Sequence, residues 1–571
     1  MRKNIKLSIR TGVVAMAGVL ACYSCSDTWD DHYNSTIDGN KVDATIYEQL
    51  KSDSRLSDFV QIIDATGYDA LLDESQIITV FAPVNDSFNK DSLLNEINIG
   101  HKDNVITRFV KNHVARFNYS STIHEQTVPL LNKKNITLQR GVISADSVKT
   151  LETETVCNNG ILYKLNGELP FHPNIYEEMA VAAGMDSIYG MLSYYDKDSL
   201  DVGRSVYRGV DEDGNRIYVD SVIINSNKLM QRLDAYILRE DSNYMAIIPN
   251  NDAYTNRLNL VKKYFNYNIH EDGRDSLQNF YANYYTLNTL FYNMNTNVHD
   301  EDSLVTTTYS KYNPDHYVFY DPYKEDGILA PGSYNDKISC SNGIIYTVDS
   351  IPTSIYDAFF HDIELEAEAT GNINTDENAQ GNALYTKTCT YSVVSANDSI
   401  LKVSEKAYLD VKPSSSSAQP YITFNVPGTL AGTYDMYLVT VPLKYGNDVA
   451  ETDSLKPYQF RVNMFYRTNR ATDTSSSLPT SKSETLKDPI NGGQNFVSDP
   501  NQVDTIYLGT KTFTECYKNA SNVGVLLQIQ AYVSSSQTKN YSRRMLLDRI
   551  LFRPSGMPDD EYQVYKTAKD E

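Results

Sequence analysis

The chain has few of the residues that form covalent cross-links or carry catalytic chemistry. Among its 571 residues are only 6 Cys, 9 His and one Trp. Two of the cysteines lie near the N-terminus, and the remaining four are too few for a disulfide scaffold. A bridge between Cys389 and Cys516 is an open alternative, because both fall in one predicted domain; it requires Cα atoms within about 7 Å.

Catalytic signatures are absent from the predicted folded part of the sequence. It contains no G-x-S-x-G, no H-E-x-x-H, no P-loop and no C-x-x-C pair. Acidic pairs are common in a chain with 73 Asp and Glu, so none of them identifies a glycosidase without geometry. The sequence therefore predicts a protein that is not an enzyme and has no catalytic cofactor.

Positive charge is in deficit, and tyrosine is in excess. The 73 acidic residues outnumber the 51 basic ones, for a net charge of −22. Such a chain is repelled by nucleic acid, so no nucleic-acid partner is predicted. The 44 Tyr residues far exceed the 18 Phe. Because Tyr packs its ring while its hydroxyl stays hydrated, this excess is typical of half-exposed strands and polar-ligand surfaces.

The N-terminus is predicted to be an export signal. Residues 1–24 combine a basic start, MRKNIKLSIR, with the apolar run GVVAMAGVLAC, which is too short to cross a bilayer. A small residue before a cysteine resembles the lipobox of bacterial lipoproteins. Cys25 after Ser24 is the predicted lipidated residue, Cys22 after Ala21 is the alternative, and secretion without a lipid is the third possibility.

The acidic segment SDTWDD, directly after Cys25, resembles the export signal of surface lipoproteins in glycan-foraging gut bacteria. That resemblance implies a lipid-anchored protein of the outer membrane that faces the cell exterior, with residues 25–40 as a lipidated linker. Several acyl chains on one cysteine anchor a protein stably, since each buried CH₂ contributes about 0.8 kcal/mol.

Two pairs of similar segments indicate an internal repeat. CNNGILY at 157–163 matches CSNGIIY at 340–346, and ITVFAPVNDSF at 78–88 matches YMAIIPNNDAY at 244–254. Each copy predicts helices, a strand ended by proline, a helix capped by Asn or Asp, and a final hairpin that turns at Asn-Gly. Asp43 is the predicted cap of the first helix.

A chain of 571 residues is also too long to fold around a single hydrophobic core. The repeat predicts domains at 41–172 and 173–356. Cys157 and Cys340 then occupy equivalent positions, and we expect two separate buried thiols rather than a disulfide.

The first copy resembles the fasciclin domain. The resemblance is carried by TVFAPVNDSF at 79–88, NHVAR at 112–116 and NGILYKL at 159–165. It implies an α+β domain used in extracellular adhesion, in which His113 is a structural hydrogen-bonding residue. The second copy keeps the first and last motifs, lacks the Asn-His motif and contains long insertions.

One of these insertions has the spacing of a calcium loop. Asp211, Asp213 and Asn215 alternate as loop ligands do, but Val222 stands where an EF-hand requires Glu. A β-hairpin turn is therefore the prediction.

The last third, residues 361–571, is predicted to be a β-sandwich. Alternating strands such as YITFNVP, YDMYLVTVP, YQFRVNMFY and MLLDRILFR are separated by Ser/Thr-rich loops. IELEAEAT at 363–370, Gly-Thr-Tyr at 432–434 and LLDRILFRP at 546–554 resemble the jelly-roll carbohydrate-binding modules. The predicted fold class is thus two α+β fasciclin-like domains followed by an all-β jelly-roll sandwich.

The jelly-roll resemblance implies a structural calcium ion bound by Glu366, Glu368 and Asp548. Calcium prefers several oxygen ligands, which neighbouring first and last strands supply together. The alternative is an exposed acidic strand face with no bound ion. The glycan-binding residues are not identifiable from the sequence.

Asp-Ser/Thr-apolar triplets recur eleven times. They resemble an O-glycosylation sequon of the same gut bacteria, and the alternative is ordinary turn chemistry, since Asp-Ser begins many turns. The candidates are Ser92, Ser147, Ser187, Ser199, Ser221, Ser276, Ser303, Ser350, Ser399, Ser454 and Thr505.

Together these patterns predict a non-catalytic cell-surface lipoprotein. The first hypothesis is capture of an extracellular polysaccharide or oligosaccharide as an accessory of a SusC/SusD-type outer-membrane importer. The second is a structural subunit or adhesin that docks to a protein partner through its fasciclin-like domains without binding glycan.

Overall fold

The computed structural model describes residues 40–558, except residues 75, 122–123, 140–141, 145–147, 212–213, 295–302, 309–317, 326, 376–387, 397–401, 467–481 and 521–523. The predicted signal, both lipidation candidates Cys22 and Cys25, and the linker up to residue 39 lie outside the described residues. So do Asp213 of the candidate calcium loop and two glycosylation candidates, Ser147 and Ser399.

The first copy begins with helices and ends in a hairpin. Its helices are α1 (Ile46–Ser52), α2 (Ser57–Thr66), α3 (Asp69–Asp73), α4 (Lys90–Asn98) and α5 (Lys102–Val105). Its strands are β1 (Asn40–Lys41), β2 (Ile78–Pro83), β3 (Val114–Arg116), β4 (Gln126–Pro129), β5 (Asn135–Gln139), β6 (Val142–Ser144), β7 (Thr155–Cys157) and β8 (Gly160–Leu165). One sheet has the order β1-β7-β8-β2-β3, and a second has the order β4-β5-β6.

The second copy repeats this layout with added hairpins. Its helices are α6 (Ile175–Val181), α7 (Asp186–Ser193), α8 (Lys228–Leu233), α9 (Asn251–Tyr264), α10 (Arg274–Leu287) and α11 (Ile355–Ala358). Its strands are β9 (Asp196–Leu200), β10 (Val206–Val210), β11 (Arg216–Asp220), β12 (Ile223–Asn227), β13 (Tyr244–Pro249), β14 (Phe291–Asn293), β15 (Ser303–Val305), β16 (Val318–Tyr320), β17 (Lys337–Cys340) and β18 (Gly343–Val348). The main sheet has the order β14-β13-β18-β17.

The internal repeat is visible in the strand pairing. The order β3-β2-β8-β7 in the first copy matches β14-β13-β18-β17 in the second. In both copies the Pro-terminated strand runs parallel to the closing strand, with Ile78 opposite Gly160 and Tyr244 opposite Gly343. The two sequence motifs therefore lie side by side in each sheet.

The Asn of each closing motif does more than form a turn. Asn159 accepts a hydrogen bond from the backbone N–H of Ile46 at 2.8 Å and donates to the carbonyls of Leu72 and Glu74 at 2.9 and 2.7 Å. Asn342 is buried in the same way and accepts from the Ile175 N–H at 2.9 Å. It also donates to the carbonyls of Ile237 and Arg239 at 2.7 and 3.0 Å. One side chain thus joins a helix start to the segment before the central strand.

The Gly of each motif lies in the closing strand, beside the turn rather than within it. Gly160 and Gly343 have φ values of +152° and +150°. A Cβ atom at either position would lie 1.9 Å from a carbonyl oxygen, that of Ile78 or Tyr244. Glycine is required because the neighbouring parallel strand approaches too closely for any side chain.

Two predicted helix caps were wrong. Thr45, not Asp43, caps α1, and it forms a capping box with Glu48. Asn89 caps α4, whereas Asn85 accepts from the Asp58 N–H at 2.9 Å. In the second copy Asn250 caps α9, as the motif predicts.

The last third contains two antiparallel sheets and one short helix, α12 (Glu451–Ser454), within its described residues. Its strands are β19 (Ile363–Glu366), β20 (Cys389–Ser395), β21 (Ala407–Pro413), β22 (Tyr421–Val426), β23 (Thr433–Thr440), β24 (Gln459–Tyr466), β25 (Lys482–Thr485), β26 (Phe496–Val497), β27 (Asp504–Thr512), β28 (Val525–Ala531) and β29 (Met545–Pro554). One sheet has the order β20-β21-β29-β23-β27, with β19 on β29; the other has the order β22-β28-β24-β25, with β26 on β24. The chain as a whole is a mixed α/β protein with many strands.

A single hydrophobic core continues from the second copy into the sandwich. The ring of Tyr264, at the end of α9, lies 4.9 Å from that of Phe360, which lies 5.1 Å from Tyr434 in β23. The Tyr264 carbonyl accepts the Ala431 N–H at 3.0 Å. A Cβ on Gly432 would lie 2.7 Å from the Phe360 ring. The predicted boundary near residue 360 is therefore a packed interface.

Replacing Gly160 or Gly343 with alanine is expected to destabilise the protein by roughly 2–4 kcal/mol, because the added Cβ collides with the adjacent strand. Urea unfolding measures the loss. Gly190→Ala is the control, because a Cβ at that position in α7 meets nothing within 4 Å. Equal unfolding midpoints for all three variants would contradict the prediction.

Candidate functional site

The three predicted calcium ligands lie close to one another where the first and last strands of the sandwich pair. β19 runs antiparallel to β29, with Glu366 opposite Arg549. The Ser404 hydroxyl donates to Glu366 at 2.7 Å, and the Ser404 N–H donates to Asp548 at 3.1 Å. Glu368 lies in the turn after β19, so the expectation that it shares a strand face with Glu366 was wrong.

These carboxylates have buried oxygen atoms without hydrogen-bond partners. The atoms are Oε2 of Glu366, both Oε atoms of Glu368 and Oδ2 of Asp548. Burial raises the pKa of Glu368 and of Asp548 to about 7, and repulsion by Glu366 adds to both shifts. Unpartnered buried oxygens from three acidic groups are a donor set that suits calcium.

The three side chains do not form a finished coordination shell. Within the described residues, no group of three or more His, Cys, Asp or Glu side chains is arranged so that it could hold a metal ion. The chemistry of the donors fits calcium, whereas their present positions do not complete a site.

A cleft of about 410 Å³ opens at one end of the sandwich. Three of its four positive groups have acidic partners, since Lys456 lies 2.6 Å from Asp453 and both Lys412 and Arg544 pair with Asp410. The fourth, Arg543, donates to backbone carbonyls instead. The lining therefore offers both hydrogen-bond donors and acceptors. Its polar side chains are Lys412, Ser416, Asp448, Asp453, Lys456, Thr538, Tyr541, Ser542, Arg543 and Arg544.

The cysteines provide no cross-link in the described chain. Cys157, Cys340, Cys389 and Cys516 are all free, so the Cys389–Cys516 bridge was wrong. Cys157 and Cys340 are separate thiols as expected, but only Cys157 is buried, whereas Cys340 is half-buried. Cys516 is buried near the Lys518 carbonyl, and Cys389 lies near the Tyr421 carbonyl. Burial raises the pKa of Cys389 to about 11 and that of Cys516 to about 12, which leaves them as unreactive thiols at neutral pH.

His113 has a structural role in the first copy. It ends the 3₁₀ turn Lys111–His113 and is fully buried. Nδ1 lies 2.7 Å from the Phe109 carbonyl, and Nε2 accepts the Leu169 N–H at 2.9 Å. Burial lowers the pKa of His113 to about 4, so the ring stays neutral.

The candidate calcium loop is a hairpin. β10 and β11 pair antiparallel across it, and Asp211 accepts the Asn215 N–H at 2.7 Å. This hairpin and its neighbour β9–β12 carry exposed apolar side chains, including Tyr207 at 53% exposure and Val210 at 58%. The others are Leu200, Val202, Ile217, Ile223 and Ile224.

The first and second copies meet at a buried cation that sequence reasoning missed. Lys134 has only 6% of its side chain exposed, and its Nζ lies 2.6 Å from both Glu177 and Glu240. It also donates to Ser341 at 3.1 Å. No motif marks this residue, because its partners lie 43 and 106 positions away.

The described glycosylation candidates are all accessible to some degree. Six are exposed and three are half-buried. The exposed ones are Ser92, Ser199, Ser221, Ser276, Ser350 and Thr505, and the half-buried ones are Ser187, Ser303 and Ser454.

A comparison with known protein families agrees with the resemblance predicted for the first copy. Residues 54–169 match the family model described as the fasciclin domain. This segment is therefore similar to a fasciclin domain. Its match begins after β1 and α1, although Asn159 at its far end hydrogen-bonds to the start of α1.

Solved structures give weaker likenesses. The FAS1 domain pair from the insect cell adhesion molecule Fasciclin I is 11% identical, covers 53% of this chain and 98% of its own, and has a TM-score of 0.19. A family 35 carbohydrate binding module from Clostridium thermocellum is 9% identical, with coverages of 34% and 97% and a TM-score of 0.17. A Paenibacillus xanthan lyase is 12% identical, with coverages of 47% and 21% and a TM-score of 0.18.

In the described part of the chain, no helix is both long enough and apolar enough to cross a membrane.

Proposed function

We propose that the protein is a non-catalytic lipoprotein of the outer-membrane surface that captures an extracellular glycan for a SusC/SusD-type importer. In this proposal two fasciclin-like domains, at 41–172 and 173–356, carry a jelly-roll module at 361–571. The lipid on Cys25, or on the alternative Cys22, holds the chain at the membrane.

The cleft at the end of the sandwich is the observation that supports glycan capture best. Its volume of about 410 Å³ is in the range of sites that hold small ligands. Hydroxyl, ammonium, guanidinium and carboxylate groups line it together, which suits a ligand that both donates and accepts hydrogen bonds. Sugar rings have this character on every side.

We expect the full protein to be retarded in gels that contain its target polysaccharide and to give saturable heats with the derived oligosaccharides. A broad panel of neutral and acidic glycans, in calcium buffer, is the test, with serum albumin as the negative control. Absence of binding across the panel would contradict glycan capture. Release of reducing ends on incubation would contradict the non-catalytic assignment.

A second candidate function is docking to a protein partner through the fasciclin-like domains. The exposed apolar side chains of the β9–β12 and β10–β11 hairpins favour it, since contiguous apolar surface marks interaction sites. A stable complex pulled down from solubilised membranes, without any glycan affinity, would support this candidate over the first.

We further propose that Glu366, Glu368 and Asp548 bind calcium. Calcium would neutralise three mutually repelling carboxylates and provide partners for their buried oxygens. The ion would hold the first strand of the sandwich to the last one.

Calcium is expected to raise the unfolding temperature of the wild-type protein, and magnesium to raise it much less. At a calcium concentration 100 times Kd the gain is about 2.7 kcal/mol. Glu368→Gln and Asp548→Asn should abolish this calcium-dependent shift. In a chelator, both variants should unfold at a higher temperature than the wild type, because each removes a buried negative charge. Glu364→Gln is the control, since Glu364 pairs with Arg549. An equal shift in every variant would refute the site.

O-glycosylation of the exposed Asp-Ser/Thr triplets and lipidation of Cys25 predict a mass above that of the bare chain. Intact mass spectrometry of protein from native membranes should show the lipid and additional hexose-sized increments. A mass equal to polypeptide plus lipid would exclude the sugars, and a mass without lipid would exclude the anchor.

A further inference from the structure

The outer face of the β22-β28-β24-β25 sheet carries amide side chains in adjacent rows. Strand register places Gln530 between Tyr421 and Arg461, and Gln528 between Thr423 and Asn463. The residues between them along each strand, such as Ile529 and Val462, point into the core. We call this surface the amide face. Its principal side chains are Asn425, Arg461, Asn463, Gln530 and Tyr532, whereas Gln528 and Thr423 at its centre are buried, with 5% and 0% exposure.

Hydrogen bonds within the face fix the orientation of its central amides. Asn463 donates to Gln528 at 3.0 Å and accepts from the Thr485 hydroxyl at 2.7 Å. Gln528 in turn donates to the Thr423 hydroxyl at 3.2 Å. These side chains are already ordered, so binding of a ligand would not cost the conformational entropy of fixing them.

Around this network, several donors are unused within the described residues. The amide nitrogens of Gln530 and Asn425 make no hydrogen bond there, and neither does the hydroxyl of Tyr532. Arg461 donates through Nε to Asn495 at 2.8 Å, which leaves both Nη groups available. Its guanidinium lies 3.5 Å from the centre of the Tyr532 ring, and Tyr532 is 42% exposed.

The amide face is nearly neutral in a chain of net charge −22. Arg461 is its only ionised side chain among the principal residues, and that charge is stacked on Tyr532. The outer face of the opposite sheet differs, since it carries the Arg549–Glu364 ion pair and Asp435. A surface of amides and an aromatic ring suits a neutral, hydroxyl-rich ligand, because amides both donate and accept.

We propose that the amide face binds a neutral glycan chain. Gln530, Asn425 and Arg461 donate to sugar hydroxyls, and the exposed ring of Tyr532 packs against a sugar ring. The inference rests on the proposed glycan capture and names the surface and the ligand class.

The test uses the full protein and soluble polysaccharides of known composition. Neutral α-glucan, β-glucan, galactomannan and mannan are compared with anionic polygalacturonate and chondroitin sulfate by affinity gel and calorimetry. The variants are Gln530→Ala, Gln530→Glu and Tyr532→Ala on the face and Tyr541→Ala in the cleft, with Tyr507→Ala in β27 of the opposite sheet as the matched control. Thermal unfolding establishes that each variant is folded.

Wild type is expected to bind a neutral glycan, and each face variant to bind it roughly tenfold more weakly, as the loss of one hydrogen bond or ring contact implies. Tyr507→Ala should bind like wild type. The inference is overturned, with glycan capture intact, if the face variants bind like wild type or if only Tyr541→Ala in the cleft weakens binding. If the wild type binds only anionic glycans, the proposed class of neutral ligands is wrong. No binding by wild type overturns glycan capture itself.

Discussion

Two buried amides, Asn159 and Asn342, determine how each copy of the repeat is assembled. Each forms three hydrogen bonds to backbone groups, one at the start of a helix and two in the segment before the central strand. The adjacent glycine then allows the central and closing strands to approach. An aspartate would lose both donors, and a larger side chain would not fit, so the motif constrains residue identity far more than a turn alone would.

The charge of the molecule is distributed in a way that follows from burial. Most acidic groups lie in solvent, where the cost of their repulsion is small. Two exceptions are informative: Lys134 is buried between two glutamates, whereas Asp548 and its neighbouring carboxylates are buried near a single guanidinium, that of Arg549, which lies 3.8 Å from Asp548 and also pairs with Glu364. The buried charge of Lys134 is balanced by its glutamates. The carboxylates near Asp548 keep buried oxygens without hydrogen-bond partners, which favours a bound cation there.

The sequence was a good guide to local structure and a poor one to long-range contacts. Strand alternation located β22, β23, β24, β28 and β29, and the matched motifs located β2, β8, β13 and β18. Strands with weaker alternation, β20 and β27, were not recognised. Helix caps were misplaced by a few residues, because Asp43, Thr45, Asn85 and Asn89 are all competent cap residues and only tertiary contacts choose among them.

Sites formed by residues far apart in the chain could not be predicted from the sequence. The amide face combines strands 40 to 110 residues apart on one surface, as the pairing of Thr423 with Gln528 and of Gln528 with Asn463 shows. The cleft and the Lys134 contact are non-local in the same way. His113 is the buried hydrogen-bonding residue that the fasciclin resemblance implied, because that motif carries tertiary information.

The core shared by the second copy and the sandwich has a mechanical consequence. Because Tyr264, Phe360 and Tyr434 pack together, the sandwich is held in a fixed orientation against the second copy. Under the proposed function, a ligand bound to the sandwich would be held at a fixed angle to the second copy, so little orientational entropy would be lost when it is transferred.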